Sequence, residues 1–252
     1  MSDSTRRFSS RVDNYVKYRP SYPAEVVALL AAECGLTPDT LVADIGAGTG
    51  LLAEPFLKNG NHVIGIEPNR EMRAAGERLL ADYPRFSSID GTAEATTLGE
   101  HSVDIITAGQ AFHWFDHAKS RAEFARILRP GGWVALVWNE RQADSTPFLQ
   151  AYEQLLRTYS SEYETLNHRQ IDRATSAAFF APGTFALQTF ANTQIFDFEG
   201  VKGRLLSSSY TPAPGQPTYQ PMLDELATIF QQCQVDSTVA FEYDTNVYYG
   251  RL

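Results

Sequence analysis

The chain has 252 residues, with 21 basic against 30 acidic side chains for a net charge of -9. That length suits one α/β domain with additions, and the acidic balance argues against an unassisted grip on a phosphate backbone, so nucleic acid is not an expected partner. The longest apolar run, Val26 to Ala32, falls far short of the roughly 20 residues that cross a bilayer, so no membrane insertion is expected. Cys34 and Cys233 are the only cysteines, which is too few for a disulfide framework or a structural zinc site. Met1 to Arg7 leads into no apolar segment, and a cytoplasmic location is therefore expected.

In chain order, Tyr15 to Pro23 is aromatic and proline-punctuated, and Ala24 to Glu33 reads as a helix. Leu41 to Ile45 reads as a short buried strand, followed by a glycine turn and a helix from Leu51 to Lys58 that Asn59-Gly60 closes. His62 to Glu67 is the second strand and Asn69 to Ala81 its helix, while Phe86 to Asp90 is a weaker third strand. Val103 to Ala108 is the fourth, and Asp116 can cap a helix running to Leu128. Arg129-Pro130-Gly131-Gly132 is expected to stop that helix and turn into Trp133 to Trp138, the fifth strand. Such alternation is the signature of a mostly parallel sheet with helices on both faces.

The alternation then lapses. Phe148, Tyr152, Leu155, Leu156 and Tyr159 have helix-like spacing within Pro147 to about Ser161. Phe185 to Phe198 and Val239 to Tyr249 read as strands, with helical stretches at Val201–Leu206 and Met222–Cys233 between them. Ser207 to Pro221, rich in Pro, Gly and Ser, reads as a surface connection or a lid. One domain is expected over residues 1–252, with an N-terminal cap over 1–38, a core over 39–140, and helices plus the last two strands over 141–252.

The chemistry begins at Asp44-Ile45-Gly46-Ala47-Gly48-Thr49-Gly50, between the first strand and its helix. Glycines there let the backbone turn tightly and approach a ligand, and the helix N-terminus favours negative or polar ligand groups. Glu67 ends the second strand about 20 residues later, the offset of a ribose-binding acid in nucleotide-binding βαβ units. A dinucleotide fingerprint would need a glycine where Leu51 stands, so a nicotinamide-dependent oxidoreductase is the weaker reading. No Gly-Lys-Ser/Thr run for a phosphate-binding loop exists.

The acid-x-Gly-x-Gly-x-Gly form resembles motif I of the class I S-adenosylmethionine-dependent methyltransferases. Gly91-Thr92-Ala93-Glu94 resembles that family's adenine-side loop, with Thr92 where an acid is usual, and Gln110-Ala111-Phe112-His113-Trp114-Phe115 stands where these enzymes face the substrate. Arg126 to Gly132 resembles the family's turn into strand five. With Tyr15 to Pro23 and Trp138-Asn139-Glu140-Arg141, the chain looks like the subgroup resembling trans-aconitate and ubiquinone/menaquinone-biosynthesis methyltransferases. The resemblance implies a Rossmann-like, doubly wound, seven-stranded sheet with the last strand antiparallel and an N-terminal helical cap. It implies S-adenosyl-L-methionine as cofactor, held by Arg19, Asp44, Gly46, Ala47, Gly48, Glu67, Pro68, Met72, Thr92, Ala93 and Gln110.

Beside the cofactor, Tyr18, His113, Trp114, Arg141 and Tyr210 are candidate substrate contacts. His113 is the candidate base if the acceptor arrives protonated, and a positioning group if it is a carboxylate. Arg141 and Arg19 motivate a small carboxylate acceptor methylated on oxygen, since a guanidinium holds a carboxylate through two parallel bonds. A phenol, quinol or carbon nucleophile, or a non-catalytic binding role on the same fold, stays open. His113 and His117 form H-x-x-x-H without the H-E-x-x-H pattern or a third ligand, so no metal is expected.

Overall fold

The computed structural model describes residues 17–160, 163, 173–208 and 210–252. Tyr15 and the rest of residues 1–16 of the expected cap lie outside the described residues. The elements in order are α1 (Glu25–Cys34), β1 (Leu41–Ile45), α2 (Ala53–Lys58), β2 (His62–Ile66), α3 (Arg70–Leu79), β3 (Phe86–Ile89), β4 (Val103–Gly109), a 3-10 turn (Phe112–Trp114), α4 (His117–Ile127), β5 (Leu128–Arg141), α5 (Pro147–Tyr159), α6 (Arg173–Phe180), β6 (Phe185–Phe196), α7 (Phe198–Leu206), α8 (Tyr219–Cys233) and β7 (Val239–Gly250).

Short polar side chains start the helices where the sequence offers them. Asn69, Asp116, Thr146 and Asp197 each accept the backbone N–H three residues on, satisfying a donor that the first turn leaves unpaired. Pro147 follows Thr146 at the first helical position, where its missing N–H costs nothing.

The seven strands form one sheet in the order β3-β2-β1-β4-β5-β7-β6. The first five run parallel, and β7 is antiparallel to both of its neighbours. The chain winds outward from β1 to β3 and then crosses back to β4, so the strand order reverses between β1 and β4. Ligands of open α/β sheets bind outside the carboxyl ends of the strands at such a point. One face of the sheet buries Val42, Ile105 and Val137 under Val26 and Leu30 of α1, and the other buries Ile45, Ile106 and Leu136 under Phe124 of α4. A third cluster joins α5, α7 and α8 over the end of β7 through Tyr152, Val201, Met222 and Phe241.

Three expectations need correction. Arg129 to Gly132 does not separate helix from strand: β5 already begins at Leu128, which pairs with Val103, and a bulge carries the ladder on to Trp133 opposite Ile105. Gly131 at φ +81°, and Gly132, where a Cβ would stand 2.8 Å from the Asp104 carbonyl, absorb the extra residues. The segment from Ser207 is not surface throughout: Ser207, Ser208 and Thr211 are buried, and the exposed stretch runs over residues 213–218. Helix α6 lies where no element is expected, its short Arg-Ala-Thr-Ser-Ala-Ala run ending on Phe179 and Phe180, which pack with Phe112 and Phe185. Among the described residues no helix is long and apolar enough to cross a membrane.

Candidate active site at the carboxyl edge of the sheet

The loop leaving β1 is set by its glycines. Gly46, Gly48 and Gly50 stand at φ +69°, +58° and +86°, the left-handed region that glycine enters at least cost. Their surroundings differ. A Cβ at Gly46 would lie 2.6 Å from that of Ala111, and one at Gly50 would lie 2.4 Å from Leu80, so these two close the loop onto the protein. At Gly48 the nearest side-chain atom would be Met72 Cε at 3.3 Å, the end of a flexible side chain, so this glycine is the least crowded of the three. Backbone N–H groups of Gly46 and Ala47 both donate to the Ile66 carbonyl, tying the loop to the end of β2.

Two acids flank this loop. Asp44 is 1% exposed; Thr107 donates to its Oδ1 at 3.0 Å, and its Oδ2 has no hydrogen-bond partner among the described residues. Burial pushes its pKa up to about 7, with the charge of Glu67 adding to the rise and the Thr107 bond opposing it. Glu67 accepts the Gly48 N–H on Oε2 and the Asn69 N–H on Oε1, at 2.9 and 2.8 Å. Burial raises its pKa above the usual carboxylate range. Each oxygen still has a lone pair for a further donor. Pro68 beside it is exposed, and Met72 is buried under the loop.

After β3, Thr92 and Ala95 exchange backbone bonds in a tight loop that exposes Thr92 and buries Ala93. This loop is clamped from α4, a role that no motif in the sequence signals. Glu123 accepts both the backbone N–H and the hydroxyl of Thr96, and Arg126 holds the same carboxylate through two nitrogens. Those bonds, led by that from Arg126, hold the Glu123 pKa down at about 2. Glu94 accepts the Asp116 N–H at 2.8 Å, a second tie to the start of α4.

Between β4 and α4, Gln110 adopts φ +52° and spends its side-chain amide on the backbone of Asn139, accepting its N–H at 2.6 Å. The next residues form the 3-10 turn. The His113 ring meets Trp138 edge-on with centroids 5.1 Å apart and lies 4.5 Å from Trp114. His117 stacks on Phe112 at 4.2 Å, away from the His113 ring contacts.

The N-terminal segment crosses this edge. The Tyr22 hydroxyl lies 2.6 Å from where Gly109 would carry a Cβ, the Ser21 carbonyl accepts from Asn139 and Asn192, and Tyr18 lies against Gly203 of α7. Arg19 donates to the Ser207 carbonyl at 3.1 Å, just past the end of α7.

Arg141 is expected to offer its fork to a substrate carboxylate. Its guanidinium instead pairs with Glu153 of α5, donates to the Tyr163 hydroxyl at 3.0 Å and to the Gln142 carbonyl, and lies over the Tyr152 ring. Both side chains of the ion pair are nearly buried, at 11% and 12% exposure, so the pair belongs to the packing of α5 against β5. Tyr210 stacks edge-on against Tyr163 nearby. A buried guanidinium with no carboxylate beside it among the described residues is that of Arg204 on α7, which is not among the residues singled out from the sequence. Its signal is positional: Val201, Arg204, Leu205 and Ser208 are spaced i, i+3, i+4 and i+7, so the arginine falls on the apolar face of its helix.

Residues 43–136 match the family described as a methyltransferase domain. An uncharacterized methyltransferase of Mycobacterium tuberculosis is 40% identical over 139 residues, which is 55% of this chain and 54% of that protein. The chain thus spans about half the length of the curated relatives it matches. Among solved structures, one from Anaeromyxobacter dehalogenans, named as a candidate type II methyltransferase, superposes with TM-score 0.68 at 21% identity, over 93% of this chain and 98% of that one. An S-adenosylmethionine-dependent methyltransferase from Geobacter sulfurreducens, solved with S-adenosyl-L-homocysteine, has TM-score 0.50 at 17% identity and covers 97% of each chain.

Proposed function

We propose, from the match of residues 43–136 to a methyltransferase domain, that the chain is a class I S-adenosylmethionine-dependent methyltransferase that transfers a methyl group from S-adenosyl-L-methionine to a small-molecule acceptor. The observation that carries the reading is Asp44 Oδ2, a buried carboxylate oxygen without a partner among the described residues, beside a glycine loop whose middle residue is the least crowded. A buried acid in that state calls for a donor from outside the chain, and the amino group of the cofactor is one. Glu67 has lone pairs left for ribose hydroxyls, Gly48 and Met72 offer the loop's close approach, and Thr92 and Ala93 line the far side.

The cofactor supplies a methyl group on a sulfonium whose departure leaves a neutral thioether. The chain's own residues therefore have to align the acceptor and exclude water more than supply acid or base. Trp114 and Trp138 wall the site around His113, and the segment from Tyr18 to Tyr22 covers its edge. We favour a carboxylate oxygen as acceptor, as in the subgroup that includes trans-aconitate methyltransferases, with His113 positioning it. The aromatic wall also suits a phenol or quinol, and for that acceptor the His113 imidazole would take the hydroxyl proton.

The test is a small-metabolite pool incubated with methyl-labelled cofactor, reading out labelled product. Labelled product that disappears with Asp44→Asn supports the reading. Cofactor binding without transfer to any pool fraction would make the protein a binding module instead.

A further inference from the structure

Arg204 lies on α7 at the carboxyl edge of the sheet, 7% exposed. Its Nε donates to the Tyr243 hydroxyl at 3.2 Å and its Nη1 to the Ser208 hydroxyl at 3.3 Å, both neutral groups. Tyr243 donates its own proton to Gln194 Oε1 at 3.1 Å, which leaves its lone pair turned toward the guanidinium. A guanidinium carries five N–H donors, so these two bonds leave most of them, including both on Nη2, without a partner among the described residues. No carboxylate pairs with it among the described residues. Arg141 is the register partner of Tyr243 on β5, and there Glu153 cancels the charge. The buried cluster of Arg141, Glu153 and Arg204 therefore keeps one positive charge in excess.

Burying an ion away from water is unfavourable unless an opposite charge meets it. A chain that buries one cation with a built-in acid and its neighbour without leaves the second for a counter-ion from outside. The surroundings fit that use. Tyr152 and Tyr210 add aromatic walls with hydroxyls, and the segment from Tyr22 to Tyr18 runs from the end of β4 to α7, joining this cluster to the edge where the glycine loop opens. We infer that Arg204, rather than Arg141, is the anion subsite of the methyl acceptor and takes a carboxylate of that molecule. This rests on the methyltransferase reading for the word acceptor, but the subsite itself is open to measurement without any transfer.

The experiment titrates the full chain, with and without S-adenosyl-L-homocysteine, with acetate, succinate, citrate, inorganic phosphate and the neutral diamide of succinate. Saturable binding of a carboxylate and none of the diamide is expected, and Arg204→Met should weaken it about tenfold or more, the scale of a lost bond between charged groups. The same variant should melt at or above the temperature of the parent, because an apolar side chain relieves an uncompensated buried charge. A variant that melts well below the parent would mark Arg204 as structural and overturn the proposal. So would carboxylate binding unchanged by Arg204→Met, binding of phosphate in place of carboxylates, or no saturable binding of any of these anions. Failure of S-adenosyl-L-homocysteine alone to bind, with the carboxylate still bound through Arg204, would count against the cofactor reading and leave the subsite standing.

Discussion

The two ends of the carboxyl edge treat buried charge in opposite ways. At the β1 end an acid, Asp44, is buried without a base among the described residues, and the groups around it are fixed by backbone: Glu67 by two N–H donors, the glycine loop by the Ile66 carbonyl. At the β5–β7 end a base, Arg204, is buried without an acid among the described residues, and the groups around it are side chains from α5, α7 and β7. Backbone cradles depend on local sequence, whereas side-chain clusters depend on how distant helices meet. The difference teaches where to look for each ligand: the invariant part of a cofactor suits the first construction, and a variable acceptor suits the second.

That contrast breaks first at Arg141. Arg141→Ala would take from Glu153 its buried partner and leave it the half-exposed Arg157 and the Tyr163 hydroxyl, and we expect a loss of about 3 kcal/mol in denaturant unfolding, the low end for a broken buried pair. Replacing both residues with methionine should recover most of it, which would separate packing from ligand anchoring. A loss under about 1 kcal/mol would mean that the pair is solvated and that Arg141 is available to a ligand after all.

Asp44 gives the next effect. Its folded-state pKa, about 7, stands above the ordinary carboxylate value, so folding favours its protonated form. Its contribution is complete below the unfolded pKa and is lost as pH rises through about 7, at up to about 1.4 kcal/mol per pH unit. Denaturation midpoints of the free protein should carry this slope, Asp44→Asn should remove it, and a bound ammonium should pull the titration lower. An unchanged slope in the asparagine variant would place the titration elsewhere.

Glu67→Ala removes the acceptor of the Gly48 and Asn69 N–H groups. It should weaken S-adenosyl-L-homocysteine by about tenfold or more, the scale of about 1.5–3 kcal/mol. The smallest effect belongs to the clamp on the third loop. Glu123→Gln should cost about 1 kcal/mol and speed amide exchange at Thr96. Because Arg126 holds the Glu123 pKa down at about 2, its contribution is present above the usual carboxylate range and is lost only as pH falls through about 2.

The same division governs what the sequence makes legible. The strands β1 to β4, the Trp133 to Trp138 part of β5, the cap at Asp116 and the glycine loop are local patterns, and they stand where the spacing puts them. The bulge at Gly131 is less legible, because the four residues Arg129 to Gly132 read equally as a turn. Helix α6 is hidden by its small residues. The partner of Arg141 lies on another element, and nothing local announces Glu153. Arg204 could have been found, because a lone arginine on an apolar helix face is a question that sequence alone can pose. Its lack of a carboxylate is visible only in the packed structure.

The most direct test of the central claim is isothermal titration of the full chain with S-adenosyl-L-homocysteine, beside Gly48→Val. Saturable binding at one site per chain is expected in the parent, and its loss in the valine variant, whose side chain takes the space of the least crowded glycine of the loop. A well-folded parent that gives no saturable heat, or a valine variant that binds equally well, would contradict it.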